Sequence, residues 1–132
     1  MKVRTEKELA NALKSNENEI TIEGSLKDKT IRIKGTGTVA WVVALGAIGV
    51  AVIVALKTPI AIAGGPQATV AMGTIATASA SAAVGILGLP TTMAAISISV
   101  VAKSTSVLKK LYNDYSIVSQ ALIPQRFFIK LN

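Results

Sequence analysis

The groups able to do chemistry in this chain are few. Its 132 residues include no cysteine and no histidine, so thiolate nucleophiles, imidazole bases, disulfides and the usual nitrogen and sulfur ligands of zinc are missing. Five Glu and two Asp all lie outside residues 35–102, which leaves no carboxylate relay in the apolar middle. A dyad of Ser79 or Ser81 with one of the lysines has neither a spacing nor an oxyanion-binding feature behind it. No GxGxxG or GxxxxGK[ST] pattern occurs. The net charge is +7, but eight basic residues are interleaved with six acidic ones in residues 1–34, so no broad basic face for nucleic acid forms there. Composition thus predicts no enzyme, cofactor, metal or nucleic-acid partner.

Two residue classes remain, hydroxyls and small side chains. Thr69, Thr74, Thr77, Ser79 and Ser81 fall in a segment, Ala68 to Leu89, built largely of Ala, Gly, Ser and Thr. A helix of that composition gains little by facing lipid and calls for protein around it or water along one side. Small residues recur at helical spacing in Ala40-x3-Ala44, in Ala47-x3-Ala51-x3-Ala55 with Gly46 and Gly49 between, and in Ser81-x3-Gly85. Helices in lipid associate by close backbone approach, for which such residues are suited. Each motif alone reads more readily as packing within the chain's own helical hairpin. The polarity of the central segment tips the expectation toward a homo-oligomer in which the five hydroxyl residues line a pore. No ring of charge is present, so strong ion selectivity by charge is not expected.

The elements that would position these groups follow from the charge distribution. Residues 35–102 carry a single charge, Lys57. A soluble helix needs a polar face, and this window offers only scattered Ser and Thr, so it is expected to meet lipid. Thr38 to Leu56 is 19 uncharged residues, about 28 Å as a helix and enough to cross a hydrocarbon core of about 30 Å. Thr91 to Leu108 is read as a second span that borrows length across a snorkelling Lys103. The segment 68–89 between them is left as a re-entrant hairpin, a half-helix or a helix packed inside an assembly. Thr58-Pro59 and Gly64-Gly65-Pro66 mark turns. Both flanks are basic, +2 for residues 1–34 and +4 for residues 103–132, which places both termini in the cytoplasm with an even number of crossings. Trp41, Lys57, Lys103 and Tyr112, with Tyr115, are expected at the membrane interface. The pair Lys109-Lys110 beside Tyr112 offers weak attraction for anionic lipid.

The termini read as a water-soluble head. Thr5 and Glu8 form a capping box that starts a helix near Glu6, with Leu9, Ala12 and Leu13 on one face. Ile20 to Glu23 and Thr30 to Lys34 alternate with period two, as half-buried strands do. Tyr115 to Ile123 and Arg126 to Leu131 are expected as a hairpin with Pro124 in its turn. Each terminal piece is too small to bury a core alone. The fold class is therefore an α+β membrane protein, with two or three transmembrane or re-entrant helices and a small cytoplasmic α/β head made from both termini. Its parts are residues 1–34, the membrane region 38–108, and a stalk and hairpin at 109–132.

The stretches Glu8-Leu9-x2-Ala12-Leu13, Ile20-x-Ile22-Glu23-Gly24 and Ile31-Arg32-Ile33-Lys34-x-Thr36-Gly37-x-Val39-Ala40-Trp41 resemble a family of small, uncharacterised bacterial membrane proteins rich in Gly and Ala. The resemblance implies a bacterial inner-membrane location and no activity, so no functional residue is carried over. The leading expectation is a non-enzymatic integral membrane protein that oligomerises and forms a pore or channel, in the manner of a membrane-permeabilising effector. The alternatives are a membrane-anchored module whose head docks a cytoplasmic partner, and a secreted glycine-zipper protein forming fibres through Ile96-Ser97-Ile98-Ser99-Val100.

Overall fold

The computed structural model describes residues 2–57, 66–119 and 126–131. Among them are seven helices and four strands, in the order β1 (Lys2–Val3), α1 (Glu6–Lys14), β2 (Glu19–Glu23), α2 (Ser25–Lys34), α3 (Thr38–Leu56), α4 (Pro66–Ser79), α5 (Ser81–Leu87), α6 (Leu89–Ala102), α7 (Ser106–Asn113), β3 (Tyr115–Ser119) and β4 (Arg126–Leu131). The turn signals at 58–65 and the Pro124 turn lie outside the described residues.

The head forms from both ends of the chain. Its sheet has the order β1-β2-β4-β3, with β1 parallel to β2 and the other pairs antiparallel. In the β2–β4 register Glu19 lies opposite Lys130, Ile20 opposite Ile129 and Glu23 opposite Arg126, which sets unlike charges at the two ends and apolar residues between them. The Thr5 cap is present, with the Glu8 N–H donating to Thr5 Oγ1 at 3.2 Å, while the Glu8 carboxylate accepts from the Arg4 N–H at 3.1 Å, one residue ahead of the cap amide that a full capping box engages. Leu9, Ala10, Ala12 and Leu13 form the buried stripe of α1.

One predicted strand is a helix. Residues 30–34 belong to α2, because Leu26, Thr30 and Ile33 repeat at i, i+4 and i+7 and all three are buried. The Thr30 hydroxyl donates to the Leu26 carbonyl at 2.9 Å and so is satisfied within the helix. Gly24, at φ 71° and ψ −151°, makes the turn from β2 into α2 in a region open essentially to glycine alone. The strand missing from the expected four is supplied by β1, two residues long.

The apolar middle is broken more often than its composition suggests. A continuous span over 91–108 does not occur: α6 ends at Ala102, and Lys103 adopts left-handed angles, φ 59° and ψ 24°. The Lys103 N–H donates to the Val100 carbonyl at 3.1 Å and the Ser104 N–H to the Ser99 carbonyl at 3.0 Å, the two bonds of a Schellman termination. Ala80 separates α4 from α5. Gly88, at φ 85° and ψ 156°, bends the chain by 120° between α5 and α6, and Pro90 sits in the first turn of α6. The proposed fibre-forming run 96–100 is helical, with Ile96, Ile98 and Ser99 all buried in α6. A helix apolar all round needs cover on every side. α6 receives it from α1, α2 and α7 of the head and from α3, α4 and α5. One core therefore runs from Val3 and Ile129 in the sheet to Ala51 and Ala55 in α3 without interruption.

Candidate functional site: an apolar helix face and its basic, aromatic end

α3 is the one described helix that is by itself long and apolar enough to cross a membrane; α5 and α6 pass the same test only as a pair, bent as above. Its two sides differ. Trp41, Ala44, Ile48, Ala51, Val52 and Ala55 point into the core. Val39, Val42, Val43, Val50, Ile53, Val54 and Leu56 are exposed, Val39 to 81%. These seven follow a helical stripe along the whole element, and single scattered apolar residues on a protein surface do not.

The small residues divide along the same line. Ala44, Ala51 and Ala55 are fully buried and let α3 lie close on α4, α5 and α6 of its own chain. Ala40, Ala47 and Gly49 are half-buried, while Gly46 is exposed on the outer stripe. A methyl group at Gly46 or Gly49 would meet nothing within 4 Å, so the two leave a hollow in that stripe. Ser81 and Gly85 are exposed on α5, and Gly85 too has open space beside it.

Of the hydroxyl residues, Thr74, Thr77 and Ser81 are exposed and Ser79 is half-buried, while Thr69 lies in the part of α4 whose side chains are outside the described set. Gly73, Thr74, Thr77, Ala78 and Leu89 line a shallow groove of about 450 Å³. Thr77 donates to the Gly73 carbonyl at 2.8 Å, a bond that satisfies a hydroxyl where no water is present. Ser99 is the reverse case. Its hydroxyl is buried within α6 and has no hydrogen-bond partner among the described residues.

At the N-terminal end of α3 the expected interfacial aromatics meet one another. Trp41 is only 3% exposed and stacks on Tyr112, with ring centroids 4.7 Å apart and planes 13° from parallel. Both rings lie at the N-terminal end of α3, where Trp41 packs in a joint. The Tyr112 hydroxyl donates to the Thr36 carbonyl, tying α7 to the α2–α3 link. Lys34 donates to the carbonyls of Leu111 at 3.0 Å, Tyr112 at 2.9 Å and Tyr115, and lies 5.8 Å from the Tyr112 ring centroid. Its charge thus sits at the negative C-terminal end of α7. Burial holds the Lys34 ammonium below the usual lysine value. Tyr115, buried, donates to the Glu17 carbonyl at 2.6 Å. Burial, and then the nearby charges of Glu17 and Asp114, push its phenol above the usual value. Lys57 is exposed at the far end of α3, and Lys103 is exposed at the α6 terminus, where it ends a helix instead of continuing one.

In the sequence Lys34 only ends the strand-like alternation of residues 30–34. Its signal was available only in the third dimension, since its partners are 77 to 81 residues away. Among the described residues no cluster of three or more acidic side chains is placed to hold a metal ion. No protein-family model, curated protein or solved structure matches the chain.

Proposed function

We propose that this is a non-enzymatic integral membrane protein, held in the bilayer by α3, that self-associates and permeabilises the membrane. The observation that carries the reading is the stripe of seven exposed Val, Ile and Leu side chains along α3. Burying side chains of this size, at about half exposure each, is worth on the order of 5 to 10 kcal/mol. Water is a poor place to leave that much apolar surface, and a bilayer is the environment that covers all of it at once. Two further features support association. Thr74 and Thr77 stand exposed on α4, and the open space beside Gly85 on α5 admits close approach of another helix. Both termini share one sheet, so a membrane crossing by α3 requires a return, in keeping with both termini in the cytoplasm.

Purified protein reconstituted into planar bilayers tests the reading. Stepwise conductance is expected, and Val43→Glu on the outer stripe should abolish both insertion and current. Silence at every protein density, from protein shown to have entered the membrane, removes the pore and leaves an anchor.

A further inference from the structure

We infer that the groove between α3 and α7 is a binding site for an anionic phospholipid, its acyl chain along α3 and its phosphate at Lys109. The inference rests on the membrane reading above and specifies the lipid class. The groove has a volume of about 520 Å³ and is lined by Leu45, Gly46, Gly49, Thr105, Lys109 and Tyr112, among others. That volume is within the range of small-molecule sites, about 300 to 1,000 Å³.

Its two ends differ in chemistry. Along α3 the wall is apolar, and the missing side chains of Gly46 and Gly49 open a trough beside Leu45. From Gly46 to Gly49 the helix advances about 4.5 Å, so the trough lies alongside rather than across the helix. At the α7 end stand a hydroxyl, a phenol edge and the ammonium of Lys109, which is exposed and makes no ion pair among the described residues. No acidic side chain lines the groove. Lys109 also borders a second cleft of about 590 Å³, between α1 and α7, to which Lys14 and Lys110 contribute against one acidic residue, Asp114. Positive charge therefore converges on one side of an apolar trough, the arrangement that an anionic head with a hydrocarbon tail complements. The level also fits. The Trp41–Tyr112 stack holds α7, the helix that carries Lys109, beside the first turn of α3, where phosphates lie if that helix enters the hydrocarbon core.

Flotation of the full chain with vesicles of phosphatidylcholine, alone or mixed with phosphatidylglycerol, tests the site. Binding to both is expected, with a preference for the anionic mixture that Lys109→Ala reduces about fivefold, the factor that about 1 kcal/mol per lysine represents. Gly49→Leu, which changes no charge, should remove the preference by filling the trough, and Gly46→Leu should repeat the effect. Lys57→Ala, at the other end of α3, should retain it. Equal binding to both vesicles, a preference that survives both leucine variants, or an equal loss in Lys57→Ala overturns the site and leaves the membrane reading intact. Failure of the unaltered protein to float with either vesicle overturns both.

Discussion

Replacing Lys103 by glycine tests the break that divides the C-terminal half of the apolar region. Lys103 stands at φ 59° and ψ 24°, a conformation that costs an ordinary L-residue about 1 to 2 kcal/mol. Glycine removes that cost but adds backbone freedom to the unfolded chain worth about 0.5 to 1 kcal/mol. The balance is a gain of about 0.5 to 1 kcal/mol. For 132 residues this raises Tm by about 2 to 4 °C. If residues 91–108 instead formed one continuous helix, glycine would sit in its interior and destabilise it by about 1 kcal/mol. The two geometries thus differ in sign. The assay is thermal unfolding followed by circular dichroism in a mild detergent, with Lys103→Ala as the companion. Alanine removes the charge and keeps the left-handed cost, so it should leave Tm within about 2 °C. A lower Tm for Lys103→Gly together with a higher one for Lys103→Ala would refute the Schellman termination and restore the long span.

Four further outcomes are expected. Trp41, the one tryptophan, should emit at short wavelength and resist both aqueous and lipid-borne quenchers, whereas efficient quenching by lipid would return it to an interfacial belt. Folding should weaken as pH rises above about 10, because Tyr115 ionises more readily when unfolded than when buried beside Glu17 and Asp114. Tyr115→Phe should flatten that decline, and an unchanged slope would show that the phenol is not the group responsible. Ser99→Ala should be neutral or raise stability by about 1 kcal/mol in denaturant titration, since it deletes a buried hydroxyl with no described partner; a marked loss would reveal a partner. Gly88→Ala should cost about 1 to 3 kcal/mol, because φ 85° and ψ 156° are open essentially to glycine alone; a neutral result would argue against the sharp bend.

The sequence by itself determined the features that depend on near neighbours. The Thr5 cap at the start of α1, the buried stripe of that helix, the strand over 20–23 and the bounds of α3 are each written in a short window, and the structure has them. The size of the two terminal pieces also placed them in one head, because each was too short to bury a core alone. Tertiary structure decided the rest. Residues 30–34 alternate like a strand and fold as a helix, since Leu26, Thr30 and Ile33 find the core together only with helical spacing. An uncharged α6 reads equally as a membrane span or a core helix. Whether cover comes from lipid or protein depends on α1, α2 and α3, elements distant in sequence. For the same reason, spacing alone could not sort the small residues of α3. Ala44, Ala51 and Ala55 turn inward and Gly46 outward because the rest of the chain packs on one side of that helix, leaving the other to whatever surrounds it.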